Sequence, residues 1–184
     1  MSATSNLAFA LLGLLHERPR SGYDLRKLFA STPMAHYSSS PGAIYPALRR
    51  LEREGLITGS VDRSQSLRPK KTFRPTAKGI RQLKRWTSQP VRREDVVFHL
   101  DELVLRFSLM AGLQTAAQTR RFLEGFVREV EAYVLELRRQ EKALPADAPL
   151  HGRLALQCGI ESYRAHARWA RRALRGFNER KERQ

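Results

Sequence analysis

Two short stretches carry the side chains with chemistry to offer. In SSSPGAIYPALRRLEREGLI, residues 38–57, Tyr45 is followed by Arg49 and Arg50, and Arg68, Lys70 and Lys71 gather in RPKK, residues 68–71. A guanidinium presents a planar fork of donors that fits a phosphate or a guanine edge, an ammonium is a compact point charge, and a tyrosine adds a ring and a hydroxyl. These groups bind anions and base edges; they do not make bonds. No nucleophile elbow, phosphate-cradling glycine loop, dinucleotide fingerprint or metal-ligand spacing accompanies them. His16, His36, His99, His151 and His166 are scattered singly, and Cys158 is the one cysteine, so no intramolecular disulfide can form and no Cys/His cluster has zinc-ligand spacing. Catalysis, cofactors and bound metal are not expected, and a reducing cytoplasm is the natural setting. Cys158 and Trp169 read more readily as core filler than as sensors.

The elements that must position these residues follow from capping and periodicity. The apolar run LAFALLGLL, residues 7–15, is too short to span a bilayer and lacks a secretory flank, so it reads as a buried helix over 5–17, and no membrane partner is expected. Ser21 and Asp24 form a capping-box-like pair that opens a second helix, with Leu25, Leu28 and Phe29 on one face. A third helix follows, with Ile44, Leu48 and Leu51 as a narrow apolar stripe, Tyr45, Arg49, Arg50 and Arg53 pointing elsewhere, and Gly55 as its left-handed stop. Pro46 is the awkward residue: it is expected past the turn where backbone donors are free, and to kink or delay the helix. GLITGSV and KKTFR read as the strands of a hairpin around a basic turn. Thr76 then caps a fourth helix with Ile80, Leu83 and Trp86 inside.

The 184 residues carry 34 Lys plus Arg against 18 Asp plus Glu, a formal charge of +16. Such a charge attracts polyanions, nucleic acid first, with a merely solubilising surface as the competing reading. The asymmetry sharpens it: residues 1–98 hold 18 basic and 7 acidic side chains, the remainder 16 and 11. The first half is the expected polyanion binder. Helix, helix, helix, strand, basic turn, strand, helix is the plan of a winged helix-turn-helix. Its third helix enters a major groove, and its hairpin tip, with Arg68, Lys70 and Lys71, follows phosphates. Taken alone, the two lysines also fit edge protection against strand pairing.

Beyond Pro90 the pattern becomes long helices: one over about 98–110, a second marked by Phe122, Phe126, Val130, Tyr133 and Leu137, and a third after PADAP, residues 145–149. The last helix has one stripe of Leu156, Ile160, Tyr163, Ala167, Ala170, Leu174 and Phe177 and a second of Cys158, Ala165, Trp169 and Ala173. Its polar residues are confined to one sector. An apolar arc this wide fits a helix that touches two bodies, its own domain and a second subunit; three-helix packing within the chain is the alternative.

The chain resembles the PadR family of bacterial transcriptional regulators. The resemblance rests on ALLGLL, SGYDLRKLF, SPGAIYPALRRLEREGLI and the Thr-x-x-Gly of Thr76 and Gly79. It departs where Phe73-Arg74-Pro75-Thr76 puts a proline before the threonine, leaving the length of the second wing strand open. The resemblance implies a mainly α fold: a winged helix-turn-helix DNA-binding domain over 1–90 with a small β-hairpin wing, and an antiparallel helical dimerisation and effector domain over 91–184. It further implies that the Tyr45-Pro46 pair starts the recognition helix, where the tyrosine reaches DNA.

Tyr23, Ser40, Gly42, Tyr45, Arg49, Arg50, Arg68, Lys70 and Lys71 are the candidate DNA contacts. Leu11, Leu156, Ile160, Tyr163, Ala167, Trp169, Ala170 and Leu174 are the candidate dimer contacts. The expected function is sequence-specific binding of a double-stranded, palindromic operator by a homodimeric repressor, with a small aromatic or hydrophobic effector. A sequence-independent nucleoid or RNA-binding protein is the alternative.

Overall fold

The apolar run at 7–15 becomes a helix covered on nearly every side, and the first part of the fold is assembled around it. The computed structural model describes residues 5–38, 41–62 and 70–182, and divides into two compact units, Met1–Thr87 and Ser88–Gln184.

In the first unit α1 (Asn6–Glu17) starts at Ser5, whose hydroxyl accepts from the Ala8 amide, and Ala8 to Leu15 are all buried. Phe9 stacks on Trp86 at 4.1 Å between centroids. α2 (Gly22–Ser31) opens with the expected capping box: Asp24 N–H donates to Ser21 Oγ at 3.2 Å, and Ser21 N–H to Asp24 Oδ2 at 3.1 Å. Short 3-10 turns at Pro33–Tyr37 and Pro41–Ala43 lead to α3 (Ile44–Arg53).

Pro46 is the third residue of α3, inside the first turn, where backbone N–H groups have no partner anyway. It therefore costs no hydrogen bond, contrary to its expected place beyond that turn. The delay it was expected to impose corresponds to the 3-10 turn ahead of the helix. Gly55, at φ 69°, closes α3 in a Schellman motif: Leu56 N–H donates to Leu51 O at 2.9 Å and Gly55 N–H to Glu52 O at 3.0 Å.

Two further strands follow, β2 (Ile57–Asp62) and β3 (Lys70–Pro75), and a two-residue strand β1 (Arg20–Ser21), not foreseen from the sequence, adds to them in the order β1-β3-β2, all antiparallel. β3 keeps its full length despite Pro75, which ends it opposite Ile57. β1 pairs only with Thr72 and Phe73, so the missing donor interrupts nothing on that side.

The Thr-x-x-Gly motif has a physical basis where α4 (Ala77–Thr87) begins. Thr76 Oγ1 donates to Gly55 O at 2.7 Å and accepts from Gly79 N–H at 3.1 Å, while Thr76 N–H donates to Leu56 O at 2.9 Å. A Cβ on Gly79 would lie 2.1 Å from the Leu56 carbonyl oxygen, so only glycine lets α4 come this close to the end of α3.

In the second unit the helix expected over about 98–110 is α6 (Leu100–Ser108), and a short helix that was not foreseen, α5 (Arg93–Phe98), precedes it; the two are separated at His99, whose φ −140° and ψ 36° leave the helical region. Each begins with its own acidic pair, Glu94-Asp95 and Asp101-Glu102, which the positive end of a helix favours. α7 (Ala116–Lys142) opens with a Thr115–Gln118 capping box, and α8 (Leu150–Glu182) runs back along it. Tyr133 meets Tyr163 edge-on at 4.8 Å and Phe126 meets Trp169 at 5.6 Å, an antiparallel pairing. Burial, and to a lesser extent the neighbouring Tyr133, pushes the Tyr163 hydroxyl above the usual tyrosine range, with the Arg93 guanidinium opposing. Arg106 is fully buried: its guanidinium donates to Gln89 O and lies 5.2 Å from the Phe122 ring, and Asp95 stands 3.9 Å off. Desolvation lowers its pKa, only partly offset by Asp95 and Glu102.

Of the expected interface residues, Ile160, Ala167 and Ala170 are buried within this unit, and Leu156, Tyr163, Trp169 and Leu174 pack against its core. The two stripes of α8 do not serve two bodies in the way expected. Trp169 lies edge-on to Phe107 at 5.1 Å, and it and Ala173 join the first stripe on the same core. What remains outside is Cys158 and Ala165, together with Leu150 and Leu154, 62 % and 52 % exposed. On a helix these four directions fall within about 80° of one another. Leu11, the remaining interface candidate, is wholly covered inside the first unit.

Candidate nucleic-acid interface

α3 buries one edge completely and leaves the opposite one bare. Ile44, Leu48 and Leu51 are at most 1 % exposed, which fixes the helix rotation about its axis. With that edge inside, Arg49 and Arg53 point straight outward, and neither has a hydrogen-bond or ion-pair partner among the described residues. Tyr45 is 41 % exposed on the flank, its ring packed over Gly22 at the start of α2. Tyr45, Arg49 and Arg53 thus follow about 12 Å of one helix, a length and width that a DNA major groove admits.

The other expected contacts divide. Tyr23 is 59 % exposed on α2, with the Arg26 guanidinium 5.9 Å from its ring centroid, and Gly42 is exposed in the turn before α3. Arg50 is turned to the other flank: its Nε donates to Glu54 Oε1 at 2.9 Å, and it lines a shallow cleft with Ser5, Ala8 and Pro46. Ser40 and Arg68 lie outside the described residues. Lys70 and Lys71 are not at the hairpin tip; they are the first two residues of β3, with Lys70 opposite Asp62 and Lys71 opposite Val61. Lys71 is already engaged, its Nζ 2.8 Å from Glu52 Oε2. Sequence reasoning overlooked Gly22, Glu52 and Gly59. The legible signals were a glycine where a helix former would serve in the first turn of α2, and an acid on the Tyr45 flank of an otherwise basic helix.

Among the described residues no group of three or more His, Cys, Asp or Glu is placed to hold a metal, and no helix is long and apolar enough to cross a membrane.

Comparison with known proteins gives the class. The negative transcriptional regulator PadR of Bacillus subtilis strain 168 is 34 % identical over 80 residues, which cover 44 % of this chain and 44 % of that protein, so the likeness spans less than half of the relative's length. Among solved structures, Bacillus subtilis PadR in complex with operator DNA is 23 % identical with a TM-score of 0.43, covering 93 % of this chain and 98 % of that one. The same protein with p-coumaric acid is 22 % identical, with a TM-score of 0.41 over 97 % and 98 %. A PadR-like regulator from Bacillus cereus is 24 % identical, with a TM-score of 0.41 over 95 % and 99 %. Residues 101–178 match the model for the C-terminal region of virulence activator alpha, and residues 11–85, which hold α2, α3, the three strands, the second half of α1 and most of α4, match that of the PadR-like transcriptional regulators. Residues 11–85 of the first unit thus carry the pattern of the PadR-like family of transcriptional regulators, and residues 101–178 of the second that of the virulence activator alpha C-terminal region.

Proposed function

We propose that this regulator is a homodimeric repressor that reads a palindromic DNA operator with α3 and flanks it with the hairpin. The observation that carries the reading is the outer edge of α3: two arginines without a partner among the described residues and a half-exposed tyrosine, opposite a fully buried stripe. Unpaired guanidinium forks on a rigid helix suit guanine edges and phosphates, and fixed rotation gives the register that sequence discrimination needs. Residues 1–90 carry the DNA contacts in this reading, and 91–184 the dimer.

The exposed Leu150, Leu154, Cys158 and Ala165 strip is the surface a second copy would cover, and two copies would read two half-sites. The small aromatic or hydrophobic effector belongs to the same reading as a second partner, acting in the cytoplasm. Selecting bound fragments from the source genome, then comparing operator with non-operator affinity at fixed salt, tests it. A ratio of 10³ or more, the usual order for specific regulators, is expected. Equal affinity for all fragments would instead make the chain a sequence-independent nucleic-acid binder.

A further inference from the structure

Lys71 stands opposite Val61, yet its side chain does not run toward the hairpin tip. A Cβ built on Gly59 would lie 2.1 Å from Lys71 Cε and 2.9 Å from Glu52 Oε1, so the lysine folds back over Gly59 toward α3. Residues directly opposite in an antiparallel pair share a face, which puts Gly59, Val61, Lys71 and Phe73 on the face of the buried Ile57. There the Lys71 ammonium meets Glu52 Oε2 at 2.8 Å and lies 5.1 Å from the Phe73 ring centroid. It is the one ion pair between the hairpin and α3 among the described residues.

We propose that Glu52 and Lys71 form a latch that fixes the wing against the recognition helix, with Gly59 providing the clearance that lets it close. Lys71 is then a positioning residue, not a phosphate contact. An exposed pair of this kind adds little to global stability. Its effect is on geometry: beyond its own two strands the hairpin pairs only with the two residues of β1, along β3, which leaves β2 at the edge, and the latch sets its tilt relative to the helix that reads bases. Since the amino group is already matched by a carboxylate, releasing it to a phosphate would leave Glu52 as a bare negative charge facing DNA. This role rests on the operator-binding reading; the latch itself does not.

Two measurements separate them. Amide hydrogen exchange on the free protein needs no DNA: Lys71→Met, Glu52→Gln and Gly59→Ala should each quicken exchange at Ser60 and Thr72, and the exchanged pair Glu52→Lys with Lys71→Glu should restore it. Unchanged exchange in the three single variants overturns the latch. Operator and non-operator affinities across a salt series then test its use. Each single variant should lower the operator to non-operator ratio by about threefold, with the salt slope unchanged, and the exchanged pair should recover the ratio. If Lys71→Met flattens the slope by about 0.9 on all sequences alike and the exchange recovers nothing, Lys71 is a direct phosphate contact and the proposal fails. A wild-type chain with no operator preference sinks the operator-binding reading and leaves the hydrogen-exchange result to decide the latch.

Discussion

Tyr45 lies so tightly over Gly22 that a Cβ there would sit 2.6 Å from Tyr45 Cε1 and 3.2 Å from its Cδ1. The start of α2 therefore sets where the aromatic ring of α3 can be, and a methyl group would push it off. Gly22→Ala is expected to weaken operator binding although alanine favours helix, leaving the melting temperature unchanged or raised. Tyr45→Ala should cost about 1–3 kcal/mol of operator affinity. Fluorescence anisotropy on the double variant decides the mechanism: it should be no weaker than Tyr45→Ala alone, and additive losses would show that Gly22 acts elsewhere.

Arg49 and Arg53 should matter alike, and Arg50 should matter less. Replacing either outward arginine with alanine is expected to cost about 1–3 kcal/mol if it reads a base, or to flatten the salt slope by about 0.9 if it meets a phosphate. Arg50 is held by Glu54 on the other flank, so Arg50→Ala should change affinity by less than about 0.5 kcal/mol. A loss at Arg50 equal to that at Arg49 would mean that α3 presents a different edge to DNA.

The two faces of α8 make opposite predictions. Ala165 is exposed on the apolar strip, whereas Leu174 packs against the core of its own unit. Ala165→Glu should give a folded monomer with greatly reduced operator affinity, and Leu174→Glu should destabilise the second unit, an unpaired charge in an apolar contact costing several kcal/mol. Sedimentation velocity with thermal melts checks both. A dimer that survives Ala165→Glu unchanged removes the strip from the interface.

Arg106 is a buried cation whose Nε has no hydrogen-bond partner among the described residues and whose ion-pair carboxylate, Asp95, stands 3.9 Å off. Arg106→Met keeps the apolar stem and removes the desolvated charge, so its melting temperature should match or exceed that of the wild type. Arg106→Lys keeps the charge, loses the planar contact with Phe122 and should melt lower than the methionine variant. The reverse order would show that the guanidinium, not its burial, decides the stability of this unit.

Much of the first unit was readable in the chain because its signals are local. The Ser21–Asp24 cap, the Ile44, Leu48 and Leu51 stripe, the Gly55 stop and the Thr76–Gly79 cap are each written within a few residues. What escaped depends on contacts across sequence: β1 exists because Phe73 and Thr72 come to it, and the Lys71–Glu52 pair spans 19 residues. For α8, periodicity gave the width of the apolar arc but not its division. Trp169 joined the core because Phe107 on α6 and Phe126 on α7 were there to receive it, and α6 starts only at the break at His99.

The trailing end of α3 is fastened by its own main chain. Thr76 and Lys78 donate to the carbonyl oxygens of Glu54, Gly55 and Leu56, acceptors that every amino acid carries. Apart from Gly55, the buried stripe and Glu52, which holds Lys71 of the hairpin, nothing in that attachment depends on which side chains α3 shows to the outside. Tyr45, Arg49 and Arg53 can therefore be rewritten as a set while the mount stays the same, and on the proposed operator-binding reading a descendant of this chain would take up a new target by changing a few letters on one edge of one helix. Exchanging the outer residues of α3 between relatives should transplant the preferred sequence and leave the melting temperature nearly where it was.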